Sequence, residues 1–233
     1  MEVNKKYYFE SNGKNLNLDE YLNNINDIDN INKTIIYIKN NEEIDFKSSN
    51  HIRVRNKKSY DFHINYNSIS EGAFINISIN ISDKDKKKLE LKNTLEDIKK
   101  YIENIKPDVK IQSLYIENPN KNNDNKITFI CKFIPDIESK NHRIYEIKEY
   151  LTKLLWNKDK FPMERAKKGY TELSEFKNKM IEMNKKNKQL MIYPDFEPIL
   201  RIQKENNNIK IYLEYNIRQI FFVKPNIIPE PLF

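Results

Sequence analysis

The chain has 233 residues, 38% of them hydrophobic and 32% charged, and carries a formal net charge of +7. A chain of this length buries a real core, and its many isoleucines, tyrosines and phenylalanines exclude wholesale disorder. The single cysteine excludes an internal disulfide and every multi-cysteine zinc pattern, while 3 isolated glycines exclude a glycine-rich phosphate loop.

Met1–Glu10 lacks the apolar run of a signal peptide, and no later run approaches the length of a transmembrane helix. The expected location is cytoplasmic, with no membrane partner. Tyr7–Glu10 reads as a short strand, Ser11–Lys14 as a turn, and Leu18, Leu22 and Ile25 as one face of a brief helix. Asn23–Asn32 is rich in Asn and Asp, which favour turns. Thr34–Lys39 and Glu42–Phe46 flank Asn40-Asn41 as a hairpin, since Asn tolerates positive φ. His51–Arg55 alternates, with Ile52 and Val54 on one face and His51, Arg53 and Arg55 on the other.

The clearest patterning lies in Tyr60–Ile134. Phe62, Ile64 and Tyr66 face one way in a first strand, and Ile75, Ile77, Ile79 and Ile81 alternate with Asn76, Ser78 and Asn80 in its antiparallel neighbour. The period then changes, and Leu91, Leu95, Ile98, Ile102 and Ile105 line up along one side of a helix. Ser82 and Asp83 suit its start and Pro107 its stop, which predicts a helix over 84–106. Val109–Ile116 and Lys126–Ile134 return to strands around the polar connector Glu117–Asn125. Ile127, Phe129, Cys131 and Phe133 share a face, so Cys131 is expected to be buried and inert.

Beyond Lys140, Ile144, Ile147, Leu151 and Leu154 predict a helix over 141–157. Pro162, followed by Ala166, Tyr170, Leu173, Phe176, Met180 and Met183, predicts another over 163–188. Ile199–Lys204 and Ile209–Tyr215 flank Glu205–Asn208 as a hairpin; Ile217–Val223 extends its second strand or adds one, and Pro225–Phe233 is an irregular tail. The expected fold is α+β: a largely antiparallel sheet of six to nine strands with a ββαββ core (60–134), covered by helices 84–106, 141–157 and 163–188. The expected organisation is a single domain, 1–233, with a helical lobe at 141–190.

For chemistry, His51, His63 and Asp61 form a site only if their strands are neighbours, and solvated strand-face residues are the simpler reading. Pro107-Asp108, Pro135-Asp136 and Pro194-Asp195 resemble the acidic start of a metal-dependent nuclease motif, but no acid-x-Lys follows at strand distance. After Asp195 the stretch reads Ile202-Gln203-Lys204. No catalytic residue, metal ligand or cofactor is expected.

What remains is surface. Lysine, asparagine and isoleucine dominate, as in a genome of low G+C content; the basic charge is either an electrostatic footprint for nucleic acid or a product of that codon bias, and arginine, the better phosphate reader, is scarce. The candidate partner-binding residues are Arg53, Arg55, Lys57 and Lys58 on one strand, with Lys167, Lys168, Lys185 and Lys186 on or beside the last helix. Glu164, Glu172, Glu175 and Glu182 interleave with that second group and offer helical ion pairs instead. The expected function is that of a small cytoplasmic inhibitor of immunity or anti-defence type, from a low-G+C bacterium or phage. It would bind another protein: an effector, a toxin or a nuclease complex. The alternative is a nucleic-acid-binding accessory protein.

Overall fold

The computed structural model describes residues 7–25, 34–40, 54–55, 62–65, 75–82, 86–118, 126–146, 171–186, 190–205 and 208–223. In chain order its elements are β1 (Tyr7–Ser11), β2 (Lys14–Leu16), α1 (Leu18–Asn23), β3 (Thr34–Asn40), β4 (Val54–Arg55), β5 (Phe62–Asn65) and β6 (Ile75–Ser82). There follow α2 (Lys86–Ile105), β7 (Ile111–Ser113), β8 (Tyr115–Asn118), β9 (Lys126–Phe133), β10 (Ile144–Glu146), α3 (Leu173–Lys185), β11 (Met191–Glu205) and β12 (Asn208–Val223). The fold is α+β and its strand pairs are mostly antiparallel. The described strands number 12, above the expected six to nine. The surplus comes from pieces of 2 or 3 residues, β2, β4, β7 and β10, too short to carry an alternation that sequence can reveal.

The chain forms two compact units. The first holds β1, β2, α1, β3, α2, β7, β8 and residues 126–130, 197–205 and 208–216 of β9, β11 and β12. The second holds β4, β5, β6 up to Ile81, β10, α3 and the remaining parts of β9, β11 and β12.

In the first unit, β1 turns back onto β2 through Asn12 (φ 51°) and Gly13 (φ 73°), the left-handed pair that a tight hairpin turn requires. β1 pairs with β3 and β3 with β11, all antiparallel. Tyr7, Phe9, Ile36 and Ile38 are buried on one face of this sheet. The α2 stripe covers the same side: Tyr101 meets Tyr7 edge-on at 5.2 Å, and the Tyr215 hydroxyl donates to the Leu91 carbonyl at 2.8 Å. Leu91, Leu95, Ile98 and Ile102 are buried as expected, each contributing about 1.5–3 kcal/mol, whereas Ile105 at the helix end is exposed.

The single strand expected at 109–116 is broken at Leu114. β7 runs parallel to β12 (Ile111 opposite Ile211), and β8 runs antiparallel to β9 (Tyr115 opposite Phe129). Leu114 joins the two ladders, its N–H donating to the Leu213 carbonyl and its own carbonyl accepting from Ile130. The described order across 62–133 is therefore ββαβββ, with β5 and most of β6 in the second unit and α2, β7 and β8 in the first.

In the second unit, β5 and β6 pair as expected, with Phe62 opposite Ile79 and Ile64 opposite Ile77. The helix expected over 141–157 is corrected at its start, because Ile144–Glu146 is a strand running parallel to β12. The step from Ile144 to Ile147 suits a helix. The partner strand decides otherwise, burying Ile144 and Glu146 on one face at strand spacing. Of the helix expected over 163–188, the described part is Leu173–Lys185; before it Glu172 is extended (ψ 146°) and the Thr171 N–H donates to the Ile144 carbonyl at 2.9 Å. Phe176 packs on Phe222 with ring centres 5.0 Å apart, and Met180 is buried beside it on the same helix stripe.

β11 and β12 run for 15 and 16 residues, far longer than the expected hairpin arms, and Ile217–Val223 continues β12. The expected strands at 42–46 and 51–53, the connector 119–125, the stretch 147–170 and the tail 225–233 lie outside the described residues.

Candidate functional site

Buried charge is the chemical feature of both units, and β11 and β12 supply most of it. Alternate residues of a strand share a face, so Arg201 and Gln203 project together from β11, and Tyr212 and Glu214 from β12. In the first unit Glu214 is fully buried and Arg201 12% exposed. Arg201 Nε donates to Glu214 Oε1 at 2.6 Å, its Nη1 donates to Gln203 Oε1 at 2.6 Å, and its guanidinium lies 4.2 Å from the Tyr212 ring centre. The arginine is held on its edge by a carboxylate and on its face by an aromatic ring, a geometry that only a planar cation satisfies. Nearby, Lys39 pairs with Glu197 and sits over the Tyr37 ring. Burial, with the Glu197 charge second, raises the pKa of the Tyr37 hydroxyl.

The second unit has its own carboxylate at the same depth. Asp195 is 1% exposed, and its Oδ2 accepts from Arg218 Nε at 2.9 Å, Arg218 Nη2 at 2.5 Å and Gln219 Nε2 at 3.0 Å. Arg218, by contrast, is 37% exposed. A guanidinium has five N–H donors, and no described residue bonds to those of Arg218 that Asp195 leaves over. A second pair joins α3 to β10. Lys179 Nζ donates to Glu146 at 2.9 Å, pairs with Glu175 at 2.6 Å and lies 5.4 Å from the Phe222 ring centre. Burial pulls the pKa of Lys179 down, but the hydrogen bonds to Glu175 and Glu146 outweigh it and the net shift is upward.

These contacts define what the carboxylates do. Three donors converge on one oxygen of Asp195, so that oxygen is occupied within the fold. The other two Pro-Asp pairs differ from it and from each other. Asp136 accepts the N–H groups of Glu138 and Ser139 and pairs with Arg143, and Asp108 is an exposed neighbour of Lys106 at 3.7 Å. The hydrogen bond from the Ser139 backbone, helped by Arg143, lowers the pKa of Asp136. Among the described residues no group of three or more His, Cys, Asp or Glu could hold a metal ion.

No known protein family, curated protein or solved structure matches the chain. The reading of the site therefore rests on its geometry. Of the residues singled out from sequence, Lys185 and Lys186 stand exposed at the end of α3, and Lys186 pairs with Glu182 one turn back at 2.5 Å. Arg55 is the β4 residue opposite Met191. Arg53, Lys57, Lys58, Lys167 and Lys168 lie outside the described residues, as do His51 and Asp61, while His63 stands opposite Ser78 in β5. Cys131 is buried. No helix among the described residues is long and apolar enough to cross a membrane.

Proposed function

We propose that this is a partner-binding protein of the cytoplasm, an inhibitor of immunity or anti-defence type that acts by binding another protein. The observation that carries the reading is the internal pairing of the buried carboxylates: Asp195 with Arg218 and Gln219, Glu214 with Arg201, and Glu146 with Lys179. Carboxylates in those roles hold strands and helices together, and the groups left to meet another molecule are at the surface. The basic net charge favours acidic partners over basic ones through long-range attraction.

Affinity purification of the tagged full chain from its own cells at physiological salt tests this. A stoichiometric complex with one protein, seen as a single particle by light scattering, is the expected result. A chain that elutes alone defeats the reading, and one that elutes with nucleic acid released by moderate salt points to the nucleic-acid-binding alternative.

A further inference from the structure

The second unit contains an arginine that is fixed from below and open above. Asp195 grips Arg218 through a single oxygen, which contacts Nε and Nη2 and is 1% exposed with its residue. Gln219 donates to the same oxygen and closes that side. Among the described residues nothing bonds to the two Nη1 N–H groups or the second N–H of Nη2, on a side chain that is 37% exposed. Those donors form the terminal fork of the guanidinium, whose spacing matches the two oxygens of a carboxylate.

We propose that Arg218 is an oxyanion-binding residue whose ligand is an Asp or Glu side chain of the partner protein; this rests on the protein-binding reading above. Three features favour it. Holding the guanidinium in place before binding removes the ordering cost that makes most exposed arginines weak contributors. Arginine anchors are enriched among the residues that dominate protein interfaces. Asp195 also leaves the pair with no net charge, which suits a singly charged carboxylate better than a doubly charged terminal phosphate. Gln219, locked on the same carboxylate, acts as a positioning residue.

The test uses the full chain and needs no identified partner. Nitrogen-detected spectra of the arginine side chains are recorded during titration with hexaglutamate and, separately, with a six-nucleotide oligothymidylate. Saturable movement of the Arg218 Nη signals with hexaglutamate is expected, and Arg218→Lys, which keeps the charge over Asp195 but removes the fork, should weaken binding about tenfold. Unmoved Arg218 signals, or equal affinity in Arg218→Lys, overturn the proposal; tighter binding of oligothymidylate at Arg218 overturns it in favour of phosphate. The wild-type titration decides the matter even if the variant folds poorly. A complex recovered from cells while hexaglutamate leaves Arg218 untouched removes this site and spares the protein-binding reading. Failure to recover any complex removes the reading itself.

Discussion

Two arginine–carboxylate pairs, Arg201–Glu214 in the first unit and Arg218–Asp195 in the second, use the same chemistry to different ends. In both the acid is sealed from water, 0% and 1% exposed, and meets an arginine. The arginines differ: Arg201 is 12% exposed and stacked on Tyr212, while Arg218 is 37% exposed with its fork open. A buried pair with every side covered is a structural element. A buried acid under an accessible arginine is an anchored donor, and the accessible half is where a second molecule can act. Removing the acid separates the two cases, because a stranded Arg218 can be hydrated and a stranded Arg201 cannot.

The largest effect is expected at Glu214. Glu214→Gln removes the countercharge of an arginine that has little access to water, and breaking a buried pair from one side costs about 3–5 kcal/mol. The double variant Arg201→Met, Glu214→Leu, which removes both charges and keeps the volume, should recover most of that loss. Urea unfolding of the three proteins measures it. Single and double variants of equal stability would show that the pair is not coupled as its 2.6 Å contact indicates.

A smaller loss is expected at Asp195. Asp195→Asn retains an acceptor for Gln219, and the released Arg218 reaches water, so about 1–2 kcal/mol is lost. The same unfolding measurement ranks the two sites. A cost for Asp195→Asn as large as that for Glu214→Gln would erase the contrast and imply that Arg218 is as enclosed as Arg201. In the titration with hexaglutamate, Asp195→Asn should also broaden the Arg218 signals, because the fork loses its support from below.

That contrast was only partly legible in the amino-acid sequence. The isoleucine alternation of β6 and the stripe of α2 were, because one face of each is uniformly apolar and period alone locates it. β10 was not, since three residues fit either period and the parallel pairing with Ile220–Phe222 decides. The break at Leu114 was likewise invisible: it depends on β12 and β9 offering ladders in different directions on either side of one residue. In the sequence Asp195 stands out only as part of a Pro-Asp fragment, and Arg201, Glu214 and Arg218 do not stand out at all. A signal was nonetheless present. Each is a charged residue embedded in an apolar strand, as in Ile199-Leu200-Arg201-Ile202 and Ile217-Arg218-Gln219-Ile220, where an unpaired charge is too costly to keep. Which charges pair depends on how β11 and β12 come together, and that is a tertiary fact. The surface lysines chosen from sequence, by contrast, were found by charge alone, and Lys186 is engaged by Glu182 in an exposed helical pair of small value.

His142 supplies the third and mildest case, a half-buried titratable group to which no described residue offers a countercharge. Its Nε2 lies 3.2 Å from the Phe133 carbonyl and its ring 4.6 Å from the Phe133 ring centre. Burial lowers its pKa below the ordinary 6.5, and the Phe133 carbonyl, which favours a protonated ring, offsets only part of that. The sign follows from linkage. The unfolded chain takes up a proton at higher pH than the folded one, so the stability tied to neutral His142 is complete above about 6.5 and declines as pH falls through the lower folded value. His142→Gln keeps a donor for the Phe133 carbonyl and has no charge to gain. The urea midpoint of the wild type should therefore fall between pH 7 and pH 5 by more than that of His142→Gln, with the two curves closest at neutral pH. Parallel curves would mean that His142 is as solvated when folded as when unfolded, and that in this protein enclosure without a partner carries no cost.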